Sequence, residues 1–212
     1  DRPMSLFGGS INYQHIDGPS NSIDTILEAL DELIKLGKIR HFGLSNETPW
    51  GTMEFIFHSK NKDLPRVQSI QNAYNLLNRI FEFGGSEIAF REKVGLLAYS
   101  PLAQGYLTGK YQNGNLPKGS RKELFNRLQR YEGVGSEEAI DAYLNIAKKY
   151  NIDPSQLANQ FVTTRPFVTS NIIGATNMEQ LKLAVTSNQI SLTEEIEEEI
   201  EEAFKLNGNV AA

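Results

Sequence analysis

Helix-period segments and short apolar runs take turns along this chain, and that exchange leaves few folds open. Ser22 to Leu36 carries Ile23, Ile26, Leu27, Leu30, Leu33 and Ile34 on one helical face and stops at Gly37. Ile39 to Leu44 then reads as a strand ending at Ser45-Asn46. Thr48 as cap and Pro49 at the first helical position predict a helix to about Ser59. Val67 to Gln71 is the next strand, Glu82 to Glu92 a helix, and Gly95 to Tyr99 a third strand. Helices are expected over Ser136–Tyr150, Pro154–Arg165 and Met178–Thr186, with a last strand at Thr169–Ile173. Strands that alternate with helices imply parallel βα units, so the class is α/β.

Length limits the architecture further. A (β/α)₈ barrel takes ~250 residues, roughly 31 per unit, so 212 residues should hold about six or seven units. Only four strands are legible, and the opening segment Ser5–Ser20 offers no fifth. The surplus lies in Ser100–Gly135, a loop-like stretch rich in Gly, Pro, Asn and basic residues. Loops of that length are uncommon unless they serve a function. Four parallel strands cannot close a barrel, so the chain is expected to be one partial barrel domain over 1–212, a piece of something larger.

Composition removes several functions. With no cysteine, disulfides and Cys-based zinc sites or nucleophiles are excluded. A net charge of −5 argues against nucleic acid as the main partner. No apolar run approaches the ~20 residues of a membrane span, and the start lacks signal-peptide character. A cytoplasmic location is expected. The acids concentrate in Glu194–Glu202, where Leu192, Ile196, Ile200 and Phe204 recur at helical spacing. That pattern predicts a C-terminal amphipathic helix with a solvated acidic face and Thr193 as its cap, and no metal site.

Three strands stop on polar or aromatic groups: Ser45-Asn46, Gln71 with Asn72 and Tyr74 after it, and Tyr99-Ser100. Strand C-termini in a barrel face the active site. A hydroxyl and two amides could grip a planar carboxamide through donors and acceptors, and a ring nearby could stack on a heterocycle. The same residue types are also ordinary turn and cap residues, and spacing does not separate the two readings. The fourth strand runs into Gly174-Ala175-Thr176 before a helix, where small residues let a phosphate approach backbone N–H groups. A plain strand-to-helix turn has the same pattern.

Four segments together carry a resemblance: GKIRHFGLSN (Gly37 to Asn46), QNAYNLLNR (Gln71 to Arg79), LAYSPLAQGYLTGKY (Leu97 to Tyr111) and IGATNMEQL (Ile173 to Leu181). In that order and spacing they resemble the aldo-keto reductase family over essentially the whole chain. Within it, the opening and the Ser120–Tyr131 region look closest to the Tas-like bacterial branch. The resemblance implies an NADPH-binding (β/α)₈ barrel that reduces aldehydes or ketones. Of that barrel this chain would supply the C-terminal part, about four βα units and a final helix.

Matched residue by residue, the resemblance assigns Ser45, Asn46 and Gln71 to the nicotinamide carboxamide and Tyr99 to stacking on its ring. Ser100, Pro101, Leu102, Gln104 and Lys110 line the pyrophosphate, with Arg121 as a further phosphate contact. Gly174, Thr176 and Gln180 approach the adenosine end. Relatives commonly carry Glu-Asn shortly after the final Gln-Leu, where this chain has Leu183 and Ala184. The family's catalytic Asp, Tyr, Lys and His precede an LHWP-like segment or lie in it, and none matches a residue here. The expectation is therefore a reductase fragment, inactive and poorly folded alone. The alternative is a non-catalytic cofactor-binding or accessory module that self-associates. His15 is read as a surface-loop residue and Trp50 as packing; Tyr13, Tyr74 and Tyr106 have no matched Lys and are not read as acids.

Overall fold

The computed structural model describes residues 12, 15, 16, 18–125 and 130–211. Among them four strands form one parallel sheet in the order β1 (Gly43–Ser45), β2 (Ser69–Ala73), β3 (Gly95–Tyr99) and β4 (Val168–Ile172). Strand order follows chain order, and helices supply the crossovers. This is an α/β arrangement with the topology of part of a (β/α)₈ barrel. The opening Ser5–Ser20 lies largely outside the described residues, as does Tyr13.

The helices form where local chemistry favours them. Ser22 Oγ accepts from Thr25 N at 3.1 Å to cap α1 (Ile23–Lys35), and Gly37 turns out of it at φ 68°. Thr48 Oγ1 accepts from Gly51 N at 3.0 Å to cap α2 (Pro49–Lys62), with proline at the first turn. Then come α3 (Gly85–Glu92), the short α4 (Arg121–Phe125), α5 (Ser136–Lys149), α6 (Pro154–Thr163), α7 (Met178–Thr186) and α8 (Glu194–Asn207). No helix of the described residues is long and apolar enough to cross a membrane.

One face of the sheet carries the core. Ile70, Leu96 and Ala98 point toward the helices and are buried with Phe55, Ile56, Leu157 and Phe161. Each such large side chain contributes roughly 1.5–3 kcal/mol on burial. The other face is open: Ser45, Gln71, Ser170 and Ile172 are exposed. Parallel sheets normally bury both faces. Space on the open face is set by small residues. A Cβ on Gly95 would lie 1.8 Å from Thr169 Oγ1, and one on Gly43 would lie 2.5 Å from Ser69 Oγ.

Several expectations need correction. β1 begins at Gly43 rather than Ile39, because among the described residues it pairs with β2 alone, over three residues. α1 buries only Leu27 fully and leaves Leu33 exposed, since among the described helices it packs chiefly on α2. Thr193 sits at the start of α8 without a side-chain cap bond. The acidic face of α8 is not simply solvated. Glu197, Glu199 and Glu201 pair with Arg165, Lys149 and Arg79 respectively. The predicted loop Ser100–Gly135 contains two 3₁₀ turns and α4.

Candidate nucleotide-cofactor site

Ser45 and Gln71 are register partners in neighbouring strands, and both project from the open face. Asn46 follows β1 at φ 55°, a left-handed conformation that Asn tolerates better than most residues. That turn lets its backbone N–H donate to Gln71 O at 2.9 Å. Tyr99 ends β3 and donates its hydroxyl to Asn46 Oδ1 at 2.7 Å, while Asn46 Nδ2 donates to Ser45 Oγ at 3.3 Å. Residues 53 positions apart thus meet at one end of the sheet. Together they present hydroxyl and amide groups beside an aromatic ring, the donor and acceptor set a carboxamide requires.

The segment after Tyr99 departs from ordinary backbone. Ser100, Ala103, Gln104 and Gly105 all have positive φ, at 59°, 47°, 59° and 101°. The left-handed residues close tight turns, in which Ala103 N donates to Ser100 O at 2.9 Å and Gly105 N to Leu102 O at 2.8 Å. Pro101 is buried, and Leu102, Gln104 and Lys110 are half-buried around the turn. Gly105 is required there. A Cβ would lie 2.7 Å from Lys110 Cε and 2.9 Å from Lys110 Nζ, so the ammonium rests against bare backbone. A lysine ammonium set beside this turn suits phosphate. Arg121 opens α4 and is exposed.

At the end of β4, which pairs with β3 through Tyr99 and Ile172, the chain passes through Gly174 into α7. Gln180 Oε1 accepts from Thr176 N at 2.9 Å and from Thr176 Oγ1 at 3.1 Å. Asn177 Oδ1 accepts from Gln180 N at 2.9 Å, a reciprocal capping arrangement. Thr176 and Gln180 are therefore brought together, with Gly174 also exposed and nothing within 4 Å of where its Cβ would be. The amide nitrogen of Gln180 remains directed by this cap toward a donor role.

The site rests on a residue to which the sequence reading gave no role. Asn75 is fully buried. Its Nδ2 donates to Ser100 O at 2.9 Å and to Tyr131 Oη at 3.0 Å. Its Oδ1 accepts from Leu77 N at 2.9 Å and Asn78 N at 3.0 Å. One amide thus ties the turn after β2, the turn after β3 and the end of the long connection. Two asparagines flanking Leu76-Leu77 in an otherwise apolar stretch were the available signal. The same turn is clamped from α8, where buried Arg79 pairs with Glu82 and Glu201 and stacks 4.2 Å from the Phe204 ring.

The remaining candidates fall where their environments dictate. His15 is exposed. Trp50, near the start of α2, is 61% exposed, so it is not part of the buried core as expected. Tyr74 is buried and donates to Glu82; burial, then that carboxylate, pushes its phenol far above the usual value of 10.0. Tyr106 donates to Glu132, and burial with the same kind of hydrogen bond raises it too.

The family model described as the aldo/keto reductase family matches residues 10–205. The chain is 46% identical over 201 residues to the protein Tas of Escherichia coli, covering 94% of this chain and 58% of Tas. An aldo-keto reductase of Babesia bovis is 40% identical over 193 residues, 87% of this chain and 68% of that protein. An L-glyceraldehyde 3-phosphate reductase of Escherichia coli is 30% identical over 187 residues, 84% and 53% respectively. The chain therefore spans little more than half the length of Tas.

Proposed function

Because the chain belongs to the aldo/keto reductase family, we propose that it serves NADPH-dependent reduction of aldehydes or ketones by holding the cofactor. Ser45, Asn46 and Gln71 grip the carboxamide and Tyr99 faces the flat ring. The turn Ser100–Gln104, Lys110 and Arg121 hold the phosphates, and Gly174, Thr176 and Gln180 the adenosine end. When bound, NADPH supplies the hydride. The observation that carries this reading is the convergence of Ser45, Asn46, Gln71 and Tyr99 from three parallel strands. The lysine resting on Gly105 adds the charge that a phosphate requires.

Carbonyl reduction also needs a proton at the carbonyl oxygen, and a positioned acid is worth roughly 10²–10⁴-fold. Burial, and then the carboxylate to which each hydroxyl donates, raises the phenols of Tyr74 and Tyr106, which makes them poor acids near neutral pH. We therefore assign the acid to the part of complete relatives that this match does not span, and expect these 212 residues alone to bind NADPH without turnover. A second reading has one observation in its favour: among the described residues β1 and β4 are edges of a sheet whose other face is open. Under that reading a second copy pairs with them and the chain is a cofactor-binding module.

The test is a fluorescence titration of NADPH against the chain, Gln71→Leu and Tyr99→Ala, with NADPH oxidation by an aldehyde measured alongside. Saturable binding weakened about tenfold by either substitution is expected, as for loss of a hydrogen bond or a stacked ring. No saturable binding by the unaltered chain would refute the cofactor reading. Turnover by these residues alone would refute the assignment of the acid elsewhere.

A further inference from the structure

The long connection between β3 and α5 folds onto itself around three tyrosines. Tyr106 and Tyr111 are buried with ring centroids 4.9 Å apart, and the ring of buried Tyr131 lies 6.0 Å from that of Tyr106. Lys122, in α4, is tied to this cluster. Its backbone N–H donates to Tyr111 Oη at 3.3 Å, and its ammonium stands 5.4 Å and 5.7 Å from the centres of the Tyr106 and Tyr111 rings. An ammonium within about 6 Å of a ring centre is attracted by the electron-rich face. Glu132 completes the cage: its Oε1 accepts from Lys122 Nζ at 2.7 Å and from the Tyr106 hydroxyl.

An exposed lysine–carboxylate pair fixes little by itself, because screening and side-chain entropy offset the attraction. Lys122 and Glu132 differ from such a pair. Their side chains are 33% and 27% exposed, and each has a second partner in a buried tyrosine. α4 is only five residues long, so holding Lys122 holds its neighbour Arg121. Arg121 is exposed, and among the described residues it pairs with no carboxylate. It nevertheless stands close to the phosphate candidates. Burial raises the Tyr131 phenol, and Asn75, Arg130 and Arg121 act against that rise, so the Arg121 charge reaches the hydroxyl that meets Asn75. Asn75 in turn holds Ser100.

We propose that Glu132 is a positioning residue for the phosphate part of the candidate site: by holding Lys122 it fixes where Arg121 stands beside the turn Ser100–Gln104. A guanidinium on a fixed stem meets a pyrophosphate with its fork already oriented, whereas one on a loose helical turn must be ordered at each binding event. Glu132 touches no phosphate itself. Two opposite signs separate its role from a simple field effect. As a bare negative charge near an anion site, Glu132 would weaken binding, and its removal would tighten it. As the residue that places Arg121, its removal loosens binding. This role rests on the proposed phosphate contacts of Arg121 and the turn, and not on the carboxamide groups.

The probe is inorganic pyrophosphate, which carries phosphates and no nicotinamide. It is titrated calorimetrically into the chain, Glu132→Gln, Arg121→Ala and the double variant, with NADPH titrated beside it. The unaltered chain should bind pyrophosphate saturably, and Arg121→Ala should weaken it about tenfold, as for one lost charge-assisted hydrogen bond. Glu132→Gln should weaken it about three- to fivefold, and no further once Arg121 is replaced by alanine. Lys122→Met repeats the test from the other partner: the field of a lost positive charge would persist with Arg121→Ala, whereas lost positioning would not. Unchanged or tighter pyrophosphate binding by Glu132→Gln would overturn the proposal. So would a weakening of equal size in the Arg121→Ala background, which would mean that Glu132 supports the fold as a whole. The absence of saturable pyrophosphate binding by a chain that melts cooperatively would sink it as well. Pyrophosphate binding without NADPH binding would refute the cofactor reading and leave the role of Glu132 standing.

Discussion

Replacing Asn75 by alanine should cost far more than the size of its side chain indicates. Four hydrogen bonds converge on the amide, but they are not equivalent. Ser100 O also accepts from Ala103 N at 2.9 Å, and Asn78 N also donates to Asn75 O at 3.0 Å, so both groups keep a partner. The bonds described for Leu77 N–H and the Tyr131 hydroxyl run only to Asn75, and Leu77 and Tyr131 are buried. Two orphaned polar groups cost roughly 1–3 kcal/mol each, and the two shared bonds add ~0.5–1.5 kcal/mol each. The expected loss is about 3–9 kcal/mol, a large share of the ~5–15 kcal/mol typical of a domain. Tyr131→Phe is the control, because it leaves the amide its bonds to Ser100, Leu77 and Asn78. It should cost only ~0.5–1.5 kcal/mol. Urea denaturation of both variants and the parent, with the slope checked for constancy, gives the difference directly. If Asn75→Ala cost no more than Tyr131→Phe, the turn would be held by its backbone bonds and the reasoning about orphaned groups would fail.

Gly105→Ala should weaken NADPH binding well beyond the effect of one methyl. Its backbone at φ 101° disfavours alanine and the new Cβ meets Lys110 Cε at 2.7 Å; a titration in which Gly105→Ala binds as the parent does would remove the turn from the phosphate site. Leu183→Glu combined with Ala184→Asn restores hydrogen-bonding groups on α7 and should tighten NADPH binding several-fold, at ~0.5–1.5 kcal/mol per bond, with no change as the opposing result. Asp24 links α1 to α2 through Lys62 Nζ at 2.7 Å and His58 Nδ1 at 2.6 Å, and first the lysine, then the histidine, hold its carboxyl below the usual 3.8. A depressed carboxylate stabilises above pH 3.8 and loses that contribution as pH falls through its folded value. Asp24→Asn should therefore flatten acid unfolding on that side of the molecule, read by thermal melts from pH 6 to about pH 2.5. An unchanged acid limb would show the pair to be without consequence.

What the sequence discloses about this molecule follows the range of the forces involved. β3 and α7 occupy the residues that spacing predicts, because Gly95 and the polar end at Tyr99-Ser100 bound one, and Asn177 caps the other. Those signals are local. β1 is shorter than its apolar run because it extends only as far as β2, its one neighbour among the described residues, pairs with it. The acids of α8 look solvated by composition, yet three of them meet cations that arrive from Arg79, Lys149 and Arg165. No local rule supplies those partners.

The candidate site divides along the same line. Ser45, Asn46 and Tyr99 are visible in the sequence because they close β1 and β3, while Gln71, expected at a strand end, lies in the middle of β2 and reaches the site as the register partner of Ser45. Asn75 ends nothing, and its role exists only because Ser100 and Tyr131 close on it from 25 and 56 residues away. The bond from Asn72 Nδ2 to Glu47 O is hidden for the same reason, since its acceptor lies 25 residues away. Polar residues inside apolar runs therefore mark where this fold commits distant segments to one another. Asn72 and Asn75, three residues apart on either side of Tyr74, are two outcomes of that commitment. Asn75 ties the turns after β2 and β3 to Tyr131, and Asn72 Nδ2 holds the turn after β1 through Glu47 O at 3.0 Å.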